Sequence, residues 1–370
     1  MSKTYKNNMQ HKVIFCNVAY MKNYDSSHFE NDIPTNGGVY VKETKDALEK
    51  NNFHYCVDGY VRGFVETKYK DGFITHKQPN NLHIEKIDLS IKKEDEINGV
   101  TVIFCAKHPN KEKRTVIVGW YHNATVYRTR KLYHDRQFNL KTTSNNAFLL
   151  LEDDRNFEIP RASRNENNIG FGQSNIWYAN KPEHKEFVKK VIDYIDKESI
   201  RILDKKIKLK NEIEDVEQEE DSKIQKEINN TVLDTKNHFE YTKEIKPRPK
   251  QIKKGKVIYY KRNAKVSANA LNRAYYKCEI NNDHKTFLRK KDEISYTEAH
   301  HLIPMSQQDK FEFSLDIEEN IISLCSNCHN EIHYGKNQND LLEKLFNERK
   351  DLLKSKGIEI NLEELLSFYS

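Results

Sequence analysis

The stretch that decides the reading is ENIISLCSNCHNEIHYG at 319–335, together with YTEAHHLIPM at 296–305 and YKCEINNDHKTF at 276–287. His329 and His333 stand four residues apart. On a helix this spacing puts both rings on one face, where they can grip one cation. His300 and His301 are adjacent at the end of the β-like run SYTEAHH. Neighbouring strand residues point to opposite faces, so one imidazole can ligate the cation while the other addresses a water. Asn320 precedes the β-like run IISLC, and its amide can brace the loop bearing His301. Hydrolysing a phosphodiester needs a polarised phosphate, an activated water and a stabilised leaving oxyanion. One divalent cation on neutral imidazoles, with a free imidazole as base, meets those needs.

The pair HH, an Asn nine residues before the first helical His, and a second His four later resemble the HNH, or ββα-metal, nuclease family over about 60 residues. The resemblance implies that His301 is the general base and that His300, His329 and His333 hold the catalytic cation. It also implies that Asn320 orients the base-bearing loop and that Glu298 bonds to a ligand rather than to the cation. Three imidazoles with open water positions suit Mn2+, Ni2+, Co2+ or zinc, and Mg2+ can serve when substrate phosphate completes its shell. One catalytic cation is expected rather than two, because no second carboxylate-rich site is evident.

Cys325-x-x-Cys328 is a second metal signal. Many HNH proteins join such a pair to an upstream Cys-x-x-Cys around a structural zinc. Here Cys278 is present, but Asn281 stands where the second upstream Cys would be. His284 is the nearest replacement with suitable donor chemistry, with Asp283 a weaker one. The other reading is a zinc-free module with packed thiols. Cys16, Cys56 and Cys105 are scattered, two of them among apolar residues, and read as reduced core thiols.

Outward from this module, the 370-residue chain reads as an α+β protein in three parts. Residues 1–198 carry β-rich runs at 13–20, 38–41, 101–105, 115–120, 125–128 and 148–151, then a helical pattern over 185–196. Short strands separated by Asn, Asp, Gly and Lys suit an antiparallel or barrel-like sheet. Residues 199–262 are a charged helical and basic connection. Over 199–240 a loose apolar stripe predicts a solvated helix pair or, alternatively, a dimerising coiled coil. Residues 241–262 hold nine Lys/Arg against one Glu, with Pro247 and Pro249 disfavouring helix. They read as a solvated linker or as a phosphate-contacting segment through Lys253 and Lys254, beside Tyr259 and Tyr260. Residues 263–370 form the nuclease domain, with helices over 267–276, 339–354 and 362–369.

Selectivity is expected to come from the first part. In TVIVGWYHNATVYRTRKLYHDRQF, aromatic residues, Trp120 and Tyr121 among them, interleave with Arg128 and Arg130, as in a groove that follows phosphates and stacks bases. Trp177 and Tyr178, in GFGQSNIWYAN with Phe171, could sandwich a flipped base. The other reading fills a sheet core with these rings. The strand pattern and VGWYHNATVYR resemble PUA-like barrels of the EVE and SRA modified-base readers, implying a nuclease directed to methyl- or hydroxymethylcytosine. A sequence-specific restriction enzyme reading unmodified bases, or a catalytically dead zinc-stapled binding protein, are the alternatives.

The formal net charge of +6 is compatible with a polyanion, and double-stranded DNA is the expected partner. No apolar run reaches the roughly 18 residues of a membrane span, and the N-terminus lacks an apolar leader. A cytoplasmic protein without a membrane partner is expected. Cutting both strands with one site per chain would favour a homodimer or transient pairing on DNA.

Overall fold

The computed structural model describes residues 11–369 except 27–28, 30–31, 37–38, 57, 68–80, 111–113, 232, 234–236 and 255–256. The chain forms two compact units, residues 1–203 and 204–370. In chain order the first holds β1 (Val13–Val18), α1 (Val39–Thr44), β2 (Tyr60–Gly63), β3 (Glu96–Lys107), β4 (Thr115–Tyr133), β5 (Arg136–Thr143), β6 (Ala147–Leu149) and β7 (Ile176–Trp177). Then α2 (Lys185–Asn230) begins in the first unit and ends in the second.

The first unit is one seven-stranded sheet in the order β2-β5-β4-β3-β1-β7, with β6 paired to β4. It is mixed: β1 runs parallel to β3, while the other pairs are antiparallel. The path is open, and no pairing joins β2 to β7 among the described residues, so the expected barrel does not close.

Both faces of the sheet are covered, which explains the continuous apolar runs in its central strands. Ile14, Cys16, Val102, Phe104, Val116 and Val118 pack on one face. Val13, Phe15, Ile103, Cys105, Ile117 and Trp120 pack on the other with Val188, Val191, Ile192 and Ile195 of α2. A register shift beside Phe104 and Cys105 changes the phase of β4, which carries Trp120 to the α2 side.

Several expectations are corrected here. The strand expected at 38–41 is helical from Val39 onward, with Gly38 outside the described residues. The runs at 115–120 and 125–128 are parts of one 19-residue strand. The helix pair expected over 199–240 is one continuous helix of 46 residues from Lys185. Apolar residues of its later turns, Ile224 and Ile228, are buried against Leu271 and Tyr276 within the second unit.

The second unit continues with β8 (Gln251–Lys254), β9 (Val257–Tyr260), α3 (Ala264–Arg273), β10 (Glu298–His301), β11 (Ile321–Leu324), α4 (Ser326–Tyr334), α5 (Gln338–Ser355) and α6 (Leu362–Ser367). The basic segment is therefore built into this unit. β8 and β9 form an antiparallel pair, Tyr260 enters the core with Leu302 and Leu324, and Lys246 pairs with the buried Glu318 at 2.7 Å. β10 and β11 pair antiparallel, His300 opposite Ile322 and His301 opposite Ile321, and α4 follows directly. Gly335 follows α4 with φ of −82°, so left-handed backbone is not its reason. A Cβ there would meet the Glu331 carbonyl oxygen at 2.5 Å.

Candidate active site

β10 places Glu298 and His300 on one face and His301 on the other, as strand alternation requires. α4 supplies His329 and His333 one turn apart. One donor atom from each of His300, His329 and His333 lies within 4.8 Å of the others. Three imidazoles converging at that separation fit one cation.

Two of the rings, His329 and His300, are held from behind. Glu298 Oε2 lies 2.6 Å from His329 Nδ1, and its other oxygen accepts from Ser326 Oγ at 2.7 Å. Burial raises the Glu298 pKa, but the bonds to His329 and Ser326 outweigh it and keep the carboxyl below its usual range. Hydrogen bonding through one ring nitrogen fixes orientation and leaves the other for a cation. His329 Nε2 is buried with no hydrogen-bond partner among the described residues, as a group with a ligand function would be. His300 Nε2 is 3.0 Å from the Tyr369 hydroxyl, which in turn donates to the Leu302 carbonyl at 2.9 Å. Burial, then the neighbouring imidazoles, push the His300 pKa well down, leaving it neutral. Neutral imidazole is the form that ligates a metal.

His301 is buried, and its Nε2 lies 3.1 Å from Asp316 Oδ1. Asp316 is fixed in turn, its Oδ2 accepting from the Asn263 backbone N–H at 2.7 Å. The ring's Nδ1 has no hydrogen-bond partner among the described residues. A carboxylate that holds one nitrogen as N–H leaves the other with a lone pair, the arrangement of a general base. Burial lowers the His301 pKa and the Asp316 bond opposes that shift.

Asn320 is fully buried. Its Nδ2 donates to the Ile303 and Leu315 carbonyls at 3.0 and 2.9 Å, and its Oδ1 accepts from the Ile303 N–H at 2.9 Å. It thus ties the loop after His301 to the loop bearing Asp316. A cavity of about 490 Å³ exposes the site, lined by His300, His301 and His333 among others.

The second cluster is separate. Cys278, His284, Cys325 and Cys328 each offer a donor atom within 4.8 Å of the rest. His284 Nδ1 faces Cys325 Sγ at 3.6 Å and Cys328 Sγ at 3.3 Å. Three sulfurs and one imidazole are a closed tetrahedral donor set of the structural-zinc kind. Asp283, the weaker expectation, is not in the cluster.

The residues expected to contact DNA fare differently. Trp120 and Tyr121 are fully buried and cannot stack on a base. Trp120 lies parallel to Phe148 and donates to Ser199 Oγ at 2.9 Å. Tyr121 packs edge-on against Phe53 and Phe104. Trp177 is buried against Phe15 and Phe187. Tyr178 is half-buried, and its hydroxyl accepts from the His83 N–H at 2.8 Å. Arg128 pairs with Glu85 at 2.6 Å and Arg130 with Glu66 at 2.5 Å. Lys253 is exposed, and Lys254, also exposed, pairs with Glu219. Cys16 and Cys105 are buried free thiols, whereas Cys56 is half-buried.

Asp316, Tyr369 and Arg262 were missed as site residues. Asp316 lies in an unpatterned loop, Tyr369 comes from 69 residues beyond His300, and Arg262 was one cation among many in the basic run.

A β-hairpin followed by a helix, with imidazoles from both converging on one point, defines a ββα-metal module. Residues 284–335 match the family model described as HNH endonuclease, and this segment is an HNH endonuclease domain. Among curated proteins, the Type IV methyl-directed restriction enzyme EcoKMcrA of Escherichia coli (strain K12) is 43% identical over 51 residues. That match covers 14% of this chain and 17% of the relative. No helix among the described residues is long and apolar enough to cross a membrane.

Proposed function

We propose that this protein is a divalent-metal-dependent DNA endonuclease of a restriction system. The observation that carries the reading is the convergence of His300, His329 and His333 beside a carboxylate-held His301. The three imidazoles would hold one cation, which supplies Lewis-acid polarisation of the phosphate and stabilisation of the leaving oxyanion. His301 takes the proton of the attacking water, and Asp316 stabilises the imidazolium that results. Glu298 and Tyr369 hold His329 and His300 in ligating orientation, and Asn320 fixes the loop between His301 and Asp316. Mn2+ or Mg2+ is the working cation in this reading, with Ni2+ or Co2+ as competent substitutes. Cys278, His284, Cys325 and Cys328 hold zinc, which stabilises a module whose own core is small.

The first unit, on this proposal, selects DNA carrying a modified cytosine. Similarity to the methyl-directed EcoKMcrA supports that direction, as does the attachment of a large sheet unit to a module that selects poorly alone. The test digests methylated, hydroxymethylated and unmodified copies of one DNA with the full chain and Mn2+. Preferential cutting of a modified copy is expected. Equal cutting of all three would refute modification dependence and favour recognition of unmodified sequence.

A further inference from the structure

The cavity over the imidazoles is walled on another side by α2, whose Glu214, Glu217 and Asp221 line it together with Arg262. Arg262 is buried, its side chain 4% exposed. Its guanidinium pairs with Asp221 through Nη1, and its Nη2 lies 3.7 Å from Glu217. A guanidinium out of water is costly unless paired, and its planar fork fits a phosphate as well as a carboxylate. This one stands in the same cavity as His300, His301 and His333, into which a phosphodiester has to come. The carboxylates that hold it carry the wrong charge for a site that takes a polyanion.

We infer that Arg262 is the phosphate-binding residue of this site, and that Glu217 and Asp221 hold the free protein in a self-inhibited state by standing where the scissile phosphate must bind. The inference rests on the nuclease reading above. Entry of DNA exchanges two carboxylates for a phosphate, so the guanidinium stays paired throughout. The side chains of Glu217 and Gln218 are held by polar contacts that water can replace. Glu217 accepts from the Ser306 N–H at 2.7 Å, and Gln218 donates to the Tyr334 hydroxyl at 3.0 Å. The following turns are anchored more firmly, with Ile224 and Ile228 in an apolar cluster. Val216, just before Glu217, is buried as well, so α2 stays docked while the Glu217 and Asp221 side chains swing away from Arg262.

The test compares the full chain with the double variant E217Q/D221N, with Arg262→Gln, and with His301→Ala as the catalytically dead control. Cleavage of a short DNA duplex with Mn2+ is measured, alongside duplex affinity against salt concentration without divalent metal. The double variant should cut about tenfold faster than wild type, two unit charges having been removed at contact range. Arg262→Gln should lose about 10²-fold in cleavage. Its slope of log affinity against log salt should fall by about one phosphate contact. A residue that only fastens α2 would not change that slope, even if the variant melted earlier. Unchanged or slower cutting by the double variant, with wild type active and His301→Ala dead, would overturn the inference and leave the nuclease reading standing. An unchanged salt slope in Arg262→Gln would also overturn it. If no form cuts under any metal, the nuclease reading fails and takes the inference with it.

Discussion

The histidines of β10 and α4 and the aromatic residues of β4 are both conspicuous in the sequence, yet the structure uses them in opposite ways. The imidazoles of His300, His329 and His333 converge on one point, and His329 Nε2 and His301 Nδ1 are buried with no hydrogen-bond partner among the described residues. Of the aromatics, Tyr121 and Trp120 face into two cores on opposite sides of the sheet, and both are fully buried. The difference is one of constraint. A cation demands several donors within a few ångströms, and few spacings on a hairpin and a helix achieve that. A run of aromatic and basic residues satisfies either a nucleic-acid groove or a two-sided sheet whose rim carries ion pairs.

That contrast can be broken by mutation. The largest expected effect is at the cysteine cluster. Cys325→Ser should abolish stoichiometric zinc in the purified chain and cost the second unit its cooperative melting, since structural zinc contributes ~10 kcal/mol or more to such modules. Unchanged zinc content would remove that site from the account. Trp120→Ala should destabilise the first unit by about 3–5 kcal/mol through the cavity it leaves. Normal melting with a loss of DNA affinity would return Trp120 to the base-contacting role that its burial denies it. Asn320→Ala strands three buried backbone groups and should cost about 3 kcal/mol, read by denaturant unfolding. The smallest effect belongs to the exposed Lys253. Lys253→Ala should weaken duplex binding by ~1 kcal/mol or less at low salt, with no change in melting. A larger loss would make the β8–β9 pair a principal DNA contact.

The module was readable because its roles impose local spacing. Strand alternation at His300 and His301, and the four-residue step from His329 to His333, place side chains without knowledge of the rest of the fold. His284 was readable from donor chemistry once Asn281 had broken the usual pattern. Asp316, Tyr369 and Arg262 were not, because each reaches the site from a segment whose own sequence carries no periodic or motif signal. The first unit was harder still. Its central strands are apolar on both faces, so alternation is lost, and β4 reads as two strands because Asn123 and neighbouring polar residues interrupt it. The parallel pairing of β1 with β3 brings together segments more than 80 residues apart, a long-range choice that local pattern does not encode. The continuity of α2 was obscured by its acidic middle, which reads as solvated although Glu217 and Asp221 face a buried arginine.

The most direct test of the central claim is the rate of duplex cleavage as Mn2+ is titrated into wild type and His329→Ala. Wild type should show no cutting without divalent metal and a saturable rise as the ion is added, and the variant should remain at least about 10³-fold slower at every concentration. Equal cleavage by the two proteins, or none by wild type, would contradict a catalytic cation held by His300, His329 and His333.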